Sequence, residues 1–303
     1  FIEKTDDGNK ITFPGGVSIL EKGAPDVPII TRSVQIPDLA KMELKVLTSN
    51  FIDISLDNVI PSKGNLTRDI KIQDVPYEKG NVYDNDSFYP KEISYLRDPH
   101  IIRIKRGQTV VLQPIQYNPV RGILRVYTNI TLDISSSGII SSNPLVRYPD
   151  KPSGVREMEE IYKQHFINYS STTDRYTPVD EDGSMLIICY GPFIEAMQPL
   201  VEWKTKKGVK TELVNVSDIG DADAIKAYVE EYYYSYGLNF LLLVGDIAQI
   251  PSPRFSEGAG SNSPSDNYYG FIPTGDYYPD VFVGRFSAEN TEHVTTMVNR
   301  TIA

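Results

Sequence analysis

The chain has 303 residues, 40% of them hydrophobic and 11% aromatic, with 40 acidic against 30 basic side chains and a formal net charge of −10. This composition excludes a disordered chain, and the length suffices for two ordinary domains that each bury a core. No run approaches the roughly 18 uninterrupted apolar residues of a membrane span, and the single cysteine, Cys189, excludes an internal disulfide and a Cys-rich metal site.

The excess charge is one-sided. From Tyr176 to Ala303 there are 18 Asp and Glu against 8 Lys and Arg, and the residues before hold 22 of each. The second half is therefore either a plain acidic domain or one that clusters carboxylates around a cation. Neither half carries the basic stripe that nucleic acid requires. Phe1 opens no charged-then-apolar leader, so any export signal is expected to have been removed or to lie outside this stretch.

Before residue 150, short alternating runs are cut by turn residues, as in Ile101–Lys105, Thr109–Gln113 and Leu124–Ile134. Alternation rich in β-branched residues predicts half-buried strands. The pairs Lys22-Gly23 and Arg106-Gly107, with Pro14-Gly15-Gly16 and the stretch Tyr117–Gly122, predict the turns of an antiparallel sandwich. Val155–Phe166 suits a short helix closing that half.

Residues 172–183 read TTDRYTPVDEDG. They have no apolar period and hold one basic residue, Arg175. An exposed polar segment between domains is either a simple linker or a place where the chain is cut.

After Gly183 strands and helices alternate. Met185–Tyr190 and Phe240–Asp246 are continuous apolar runs, as in strands covered on both faces. Between them come a helix from about Pro192 to Gly208, a strand over Thr211–Val216, and a helix whose Ile225, Tyr228, Val229 and Tyr232 share one face up to Gly237. Val281–Phe286 and a helix from about Ala288 complete an open α/β sheet. Such sheets bind ligands at their strands' carboxyl ends, where Asp246 falls.

Asp276 and Asp280 lie in a turn-rich loop, Gly270–Asp280. With Asp246 they offer oxygens for Ca²⁺, which takes roughly six to eight. The plainer reading is that Asp246 caps the next turn and the others are solvated. Cys189 lies in an interior run, where a cysteine acts as a small apolar residue. His100, His165 and His293 read as dispersed structural or surface residues. Neither the Tyr190-Gly191 nor the Gly245-Asp246 turn offers a glycine-rich phosphate cradle, which disfavours a nucleotide-binding domain.

Several stretches together resemble the gingipain family of bacterial cysteine peptidases, most nearly its arginine-specific members. They are Glu21–Pro25, Ile60–Gly64 and Gln116–Val120 in the first half, and Tyr176–Val179, Val201–Lys204, Leu243–Asp246 and Val283–Phe286 in the second. The resemblance implies a β-sandwich-like prodomain over residues 1–175 and the first subdomain of a caspase-like α/β catalytic domain over 176–303. It implies processing between Arg175 and Tyr176, and Arg68 as the residue that the prodomain inserts into the specificity pocket. It implies a structural calcium ion held by Asp246, Asp276 and Asp280 with the carbonyls of Pro273 and Tyr278, although Asp280 stands where the arginine-specific members have a glutamate. The catalytic Cys and His are expected beyond Ala303, so this stretch should be inactive alone. Export to the cell surface or medium, peptide substrates cut after arginine, and the rest of the catalytic domain as partner follow from the same resemblance. The rival reading is an inhibitory and folding-aid module with no activity of its own.

Overall fold

Alternation becomes sheet wherever one face can be buried, and the first half does this in three sheets. The computed structural model describes residues 1–139, 142–146, 156–170, 183–254, 263–272 and 277–303. Two compact units divide them: Phe1–Pro99 with Gly107–Ser142, and His100–Arg106 with Asn143–Ala303. This contact boundary lies elsewhere than the sequence boundary at 175/176, because residues 100–106 and those from Asn143 onward count with the second unit.

In the first unit a small hairpin, β1 (Ile2–Thr5) and β2 (Gly8–Ile11), precedes two larger sheets. One has the order β3 (Val17–Ser18), β4 (Pro28–Gln35), β7 (Lys105–Leu112), β6 (Ser94–Ile102). The other joins β5 (Ala40–Ser55), β9 (Ile123–Ile139) and β8 (Ile115–Asn118). Val34 and Val110 of the first sheet share a core with Met42, Leu44, Leu132 and Ile134 of the second, which makes the pair a sandwich. A second core gathers Ile11, Val27, Val59, Ile115, Tyr117 and Leu124.

The turn joining β6 to β7 is not at Arg106-Gly107. Gly107 lies inside β7, paired with Gln35, and the chain reverses at Arg103 and Ile104. The run Ile101–Lys105, read as one strand, is therefore a hairpin tip.

In the second unit α1 (Arg156–His165) precedes a four-stranded sheet of order β11 (Thr211–Asn215), β10 (Ser184–Cys189), β12 (Leu238–Val244), β13 (Phe282–Phe286). All three pairings are parallel. The continuous apolar runs have the cause anticipated, because both faces of the sheet are covered. Leu186 and Ile188 pack with Ile225 and Val229 of α3 (Ala222–Tyr236). Met185, Ile187 and Cys189 pack with Met197 and Leu200 of α2 (Ile194–Lys206) and with Val294 and Val298 of α4 (Thr291–Ile302). Asp221 and Asn290 accept backbone N–H bonds at the starts of α3 and α4, each at 3.0 Å. Gly237, with φ +73°, ends α3 in the left-handed conformation. No helix among the described residues is long and apolar enough to cross a membrane.

Candidate functional sites

Between β5 and β6 the chain makes a long excursion over residues 56–93, and the sequence motifs at its base meet in space. Gly23 N–H donates to Ser62 O at 3.0 Å and Ser62 N–H to Ala24 O at 2.8 Å, while Asp26 N–H donates to Ile60 O at 2.9 Å. The stretches Glu21–Pro25 and Ile60–Gly64 thus clamp one root of the loop. Tyr89 pairs with Tyr117, and Gln116 Nε2 donates to Pro90 O at 2.7 Å, which clamps the other root through the stretch 116–120. Within the loop Lys63 Nζ donates to Ile72 O at 2.9 Å and lies over the Tyr77 ring, 4.1 Å from its centroid.

Arg68 sits at the apex of a tight turn closed by Ile70 N–H to Thr67 O at 3.1 Å. Its neighbour Asp69 is held below the usual carboxylate range, first by the Thr67 hydroxyl and then by its own backbone N–H. Arg68 is exposed and makes no hydrogen bond or ion pair with the described residues. A rigidly rooted loop therefore holds out a guanidinium with its donor fork unused.

At the carboxyl end of the parallel sheet, Asp246 binds the strand ends together. Its backbone carbonyl accepts from Gln249 N–H and Ile250 N–H, both at 2.9 Å, and its Oδ1 accepts from Ser287 at 3.1 Å. The turn that follows Asp246 is thus closed by its backbone carbonyl, and its carboxylate bonds Ser287 after β13. Beside it Arg285 donates to Gly245 O at 2.8 Å and grips Asp266 with two bonds of 2.8 and 2.7 Å. Burial alone would raise the Asp266 pKa, but the bonds and charge of Arg285, with a bond from Ser252, outweigh it and hold the carboxyl below its usual range.

Of the expected calcium ligands, Pro273 and Asp276 lie outside the described residues, as do Arg175 and Tyr176. Asp280 is buried, 2% exposed, and its two oxygens accept Arg103 N–H at 2.6 Å and Ile272 N–H at 3.2 Å. No three acidic, His or Cys side chains gather at metal-holding range among the described residues. Among the described residues, Asp246 Oδ1 accepts from Ser287 and the Asp280 carboxylate accepts two backbone amides.

Cys189 is fully buried, donates to Tyr190 O at 3.3 Å, and has its thiol pushed up to about 12 by burial. A thiol so protonated is no nucleophile at neutral pH. The histidines are not all dispersed, contrary to the sequence reading. Nε2 of His100 and Nε2 of His165 lie 2.9 Å apart, and Tyr278 stacks on His100 at 4.2 Å. Burial pushes His165 below its ordinary value. Alternation in a strand and position on a helix gave no signal that these two would meet. The pair lies in the core of Phe166 and Tyr162, and Cys189 lies in that of α2 and α4. His293 backs onto Asn290 at the start of α4.

The residue that sequence reasoning missed is Arg103. Its guanidinium is buried and bonds the backbone at the start of β12, and only its φ of +52° sets it apart locally.

The family model for Propeptide_C25 matches residues 3–176, and the one for Peptidase family C25 matches residues 179–303. The chain belongs to peptidase family C25, the gingipains. Gingipain R2 of Porphyromonas gingivalis is 39% identical over 298 residues, which cover 96% of this chain and 39% of that protein. Gingipain R1 of the same species is 38% identical, and Lys-gingipain is 25% identical over 311 residues. The chain thus spans about two fifths of the length of Gingipain R2: a gingipain propeptide followed by the start of the peptidase domain. Among solved structures, the complex of P. gingivalis RgpB pro- and mature domains shares 37% identity over 56% of this chain and 85% of that one, with a TM-score of 0.49.

Proposed function

We propose that the chain is the latent front part of an exported cysteine endopeptidase that cleaves after arginine, kept inactive by Arg68 and released by cleavage between Arg175 and Tyr176. Arg68 enters the specificity pocket as a substrate arginine would, and bidentate, charge-assisted bonds to a pocket carboxylate hold it there. The observation that carries this is the unpaired guanidinium at the apex of a loop clamped at both roots. Preorganisation lowers the entropy lost on docking, and a rigid loop resists the extension that cleavage demands. The end of the propeptide match at residue 176 supports the position of the cut. The complete enzyme's nucleophile and base lie outside these residues, since Cys189 is buried and protonated, so this stretch hydrolyses no peptide by itself.

Added to an arginine-specific gingipain-type peptidase, the chain should inhibit it, and Arg68→Ala should raise the inhibition constant by about 100-fold. An unchanged constant removes the role of Arg68. Calcium is proposed as a structural ion at the loop before β13, with Asp246, Asp276 and Asp280 and the carbonyls of Pro273 and Tyr278 as its oxygens, because that donor set suits a hard cation. Millimolar calcium should raise the melting temperature and Asp246→Asn should abolish the rise; absence of any shift removes the ion.

A further inference from the structure

The hairpin tip His100–Arg106 belongs by sequence to the propeptide match and by contact to the unit that holds the peptidase sheet. Its centre is Arg103, 3% exposed. Nη1 donates to Leu238 O at 2.8 Å and to Asp280 O at 3.1 Å, and Nη2 donates to Asn239 Oδ1 at 2.6 Å with a longer reach of 3.5 Å to Gly237 O. The Arg103 N–H donates to Asp280 Oδ1 at 2.6 Å, and the guanidinium carbon lies 5.1 Å from the centre of the Tyr233 ring. Arg106, equally buried, donates from Nε to Asn143 O at 2.7 Å.

Two features point to a docking element and away from an ordinary turn. Arg103 holds φ +52° in a two-residue turn, where glycine, asparagine or aspartate is the usual choice. A long side chain stays there only when its surroundings over-determine it, as these five bonds do. The acceptors also come from the amino-terminal end of the sheet. Leu238 and Asn239 open β12, Gly237 closes α3, and Gly183 precedes β10 and packs so tightly that a Cβ there would lie 1.4 Å from Asn239 Nδ2. Ser184, the first residue of β10, adds a bond to Gly237 O at 3.1 Å. Removing a donor from buried carbonyls and a buried carboxylate is costly, and at Leu238 O, Asn239 Oδ1 and Asp280 the propeptide supplies one.

We infer that the hairpin tip is a plug that completes the amino-terminal end of the peptidase sheet, with Arg103 as an anchor separate from Arg68. The propeptide then stays bound after the linker is cut, and the peptidase sheet end is unfinished without it. This rests on the family assignment and the contacts of Arg103, independently of pocket occupation by Arg68 and of where natural processing occurs.

To test it, a recognition site for an unrelated protease is inserted after Arg175 and cut, and association of the two fragments is followed on dilution by native mass spectrometry. Wild-type and Arg68→Ala fragments should dissociate alike. Arg103→Lys, which keeps the charge but loses the fork, should weaken binding, and Arg103→Ala should raise Kd by about 30-fold or more. Equal Kd values for all variants would overturn the inference. Hydrogen exchange on the intact wild-type chain decides the matter even if Arg103→Ala fails to fold. The Arg103 amide should exchange about 1,000-fold or more slower than in an unfolded chain, in step with β10 and β12. Exchange at the rate of an exposed turn would overturn the plug.

Discussion

At the scale of single residues, the same side-chain type serves opposite ends in this molecule. Arg68 and Arg103 are both propeptide arginines on turns, yet one is exposed with its fork unused and the other is buried with both terminal nitrogens bonded. Burial decides the role, since an exposed fork can be offered to another site whereas a buried one must be satisfied at once. Cys189 shows the same logic for a thiol. Its protonated, enclosed state predicts no labelling by a thiol reagent in the native protein at pH 8 and complete labelling on unfolding. Prompt labelling of the folded chain would contradict its place in the α2/α4 core. The sequence could tell this cysteine from a nucleophile because its flanking run is apolar on both sides. It could not tell Arg103 from a surface arginine, because what holds Arg103 comes from positions more than 130 residues away.

At the scale of elements, the second half was the more legible. Two-sided burial writes strands as unbroken apolar runs, and α3 shows its face at i, i+3, i+4 and i+7, ending at a left-handed glycine. The first half was legible as alternating strands but not in all its turns. Gly107 looked like punctuation and is a strand residue beside Gln35, while the true reversal at Arg103 and Ile104 carries no turn chemistry. Tertiary bonds there replace the local preference that a reader relies on. The meeting of His100 with His165 was invisible for the same reason.

The Arg285–Asp266 pair ties β13 to the short helical turn Asp266–Gly270, and its effect on stability has a defined sign. The Asp266 carboxyl is depressed in the folded chain, so its contribution is complete above the ordinary value of 3.8 and is lost as pH falls through the lower folded value. Asp266→Asn should therefore cost about 1–3 kcal/mol at pH 7, and the deficit should fade as pH falls below the ordinary carboxylate value and through the lower folded one. A deficit independent of pH in thermal denaturation would contradict the assignment.

At the scale of the whole chain, charge and chemistry divide together. The propeptide match covers a stretch that is nearly neutral, and the excess of acidic residues all follows Arg175. Between them runs TTDRYTPVDEDG, which has no apolar period and offers a protease one arginine. Cleavage must fall at this arginine while Arg68, which is exposed, survives because its rooted turn fills a pocket without extending across it. The most direct measurement is the intact mass of the first products when the full chain meets a limiting amount of an arginine-specific gingipain-type peptidase. The account predicts two species, residues 1–175 and 176–303, with Arg68 uncut in the first. Early cleavage at Arg68, or no dominant cut after Arg175, would contradict it.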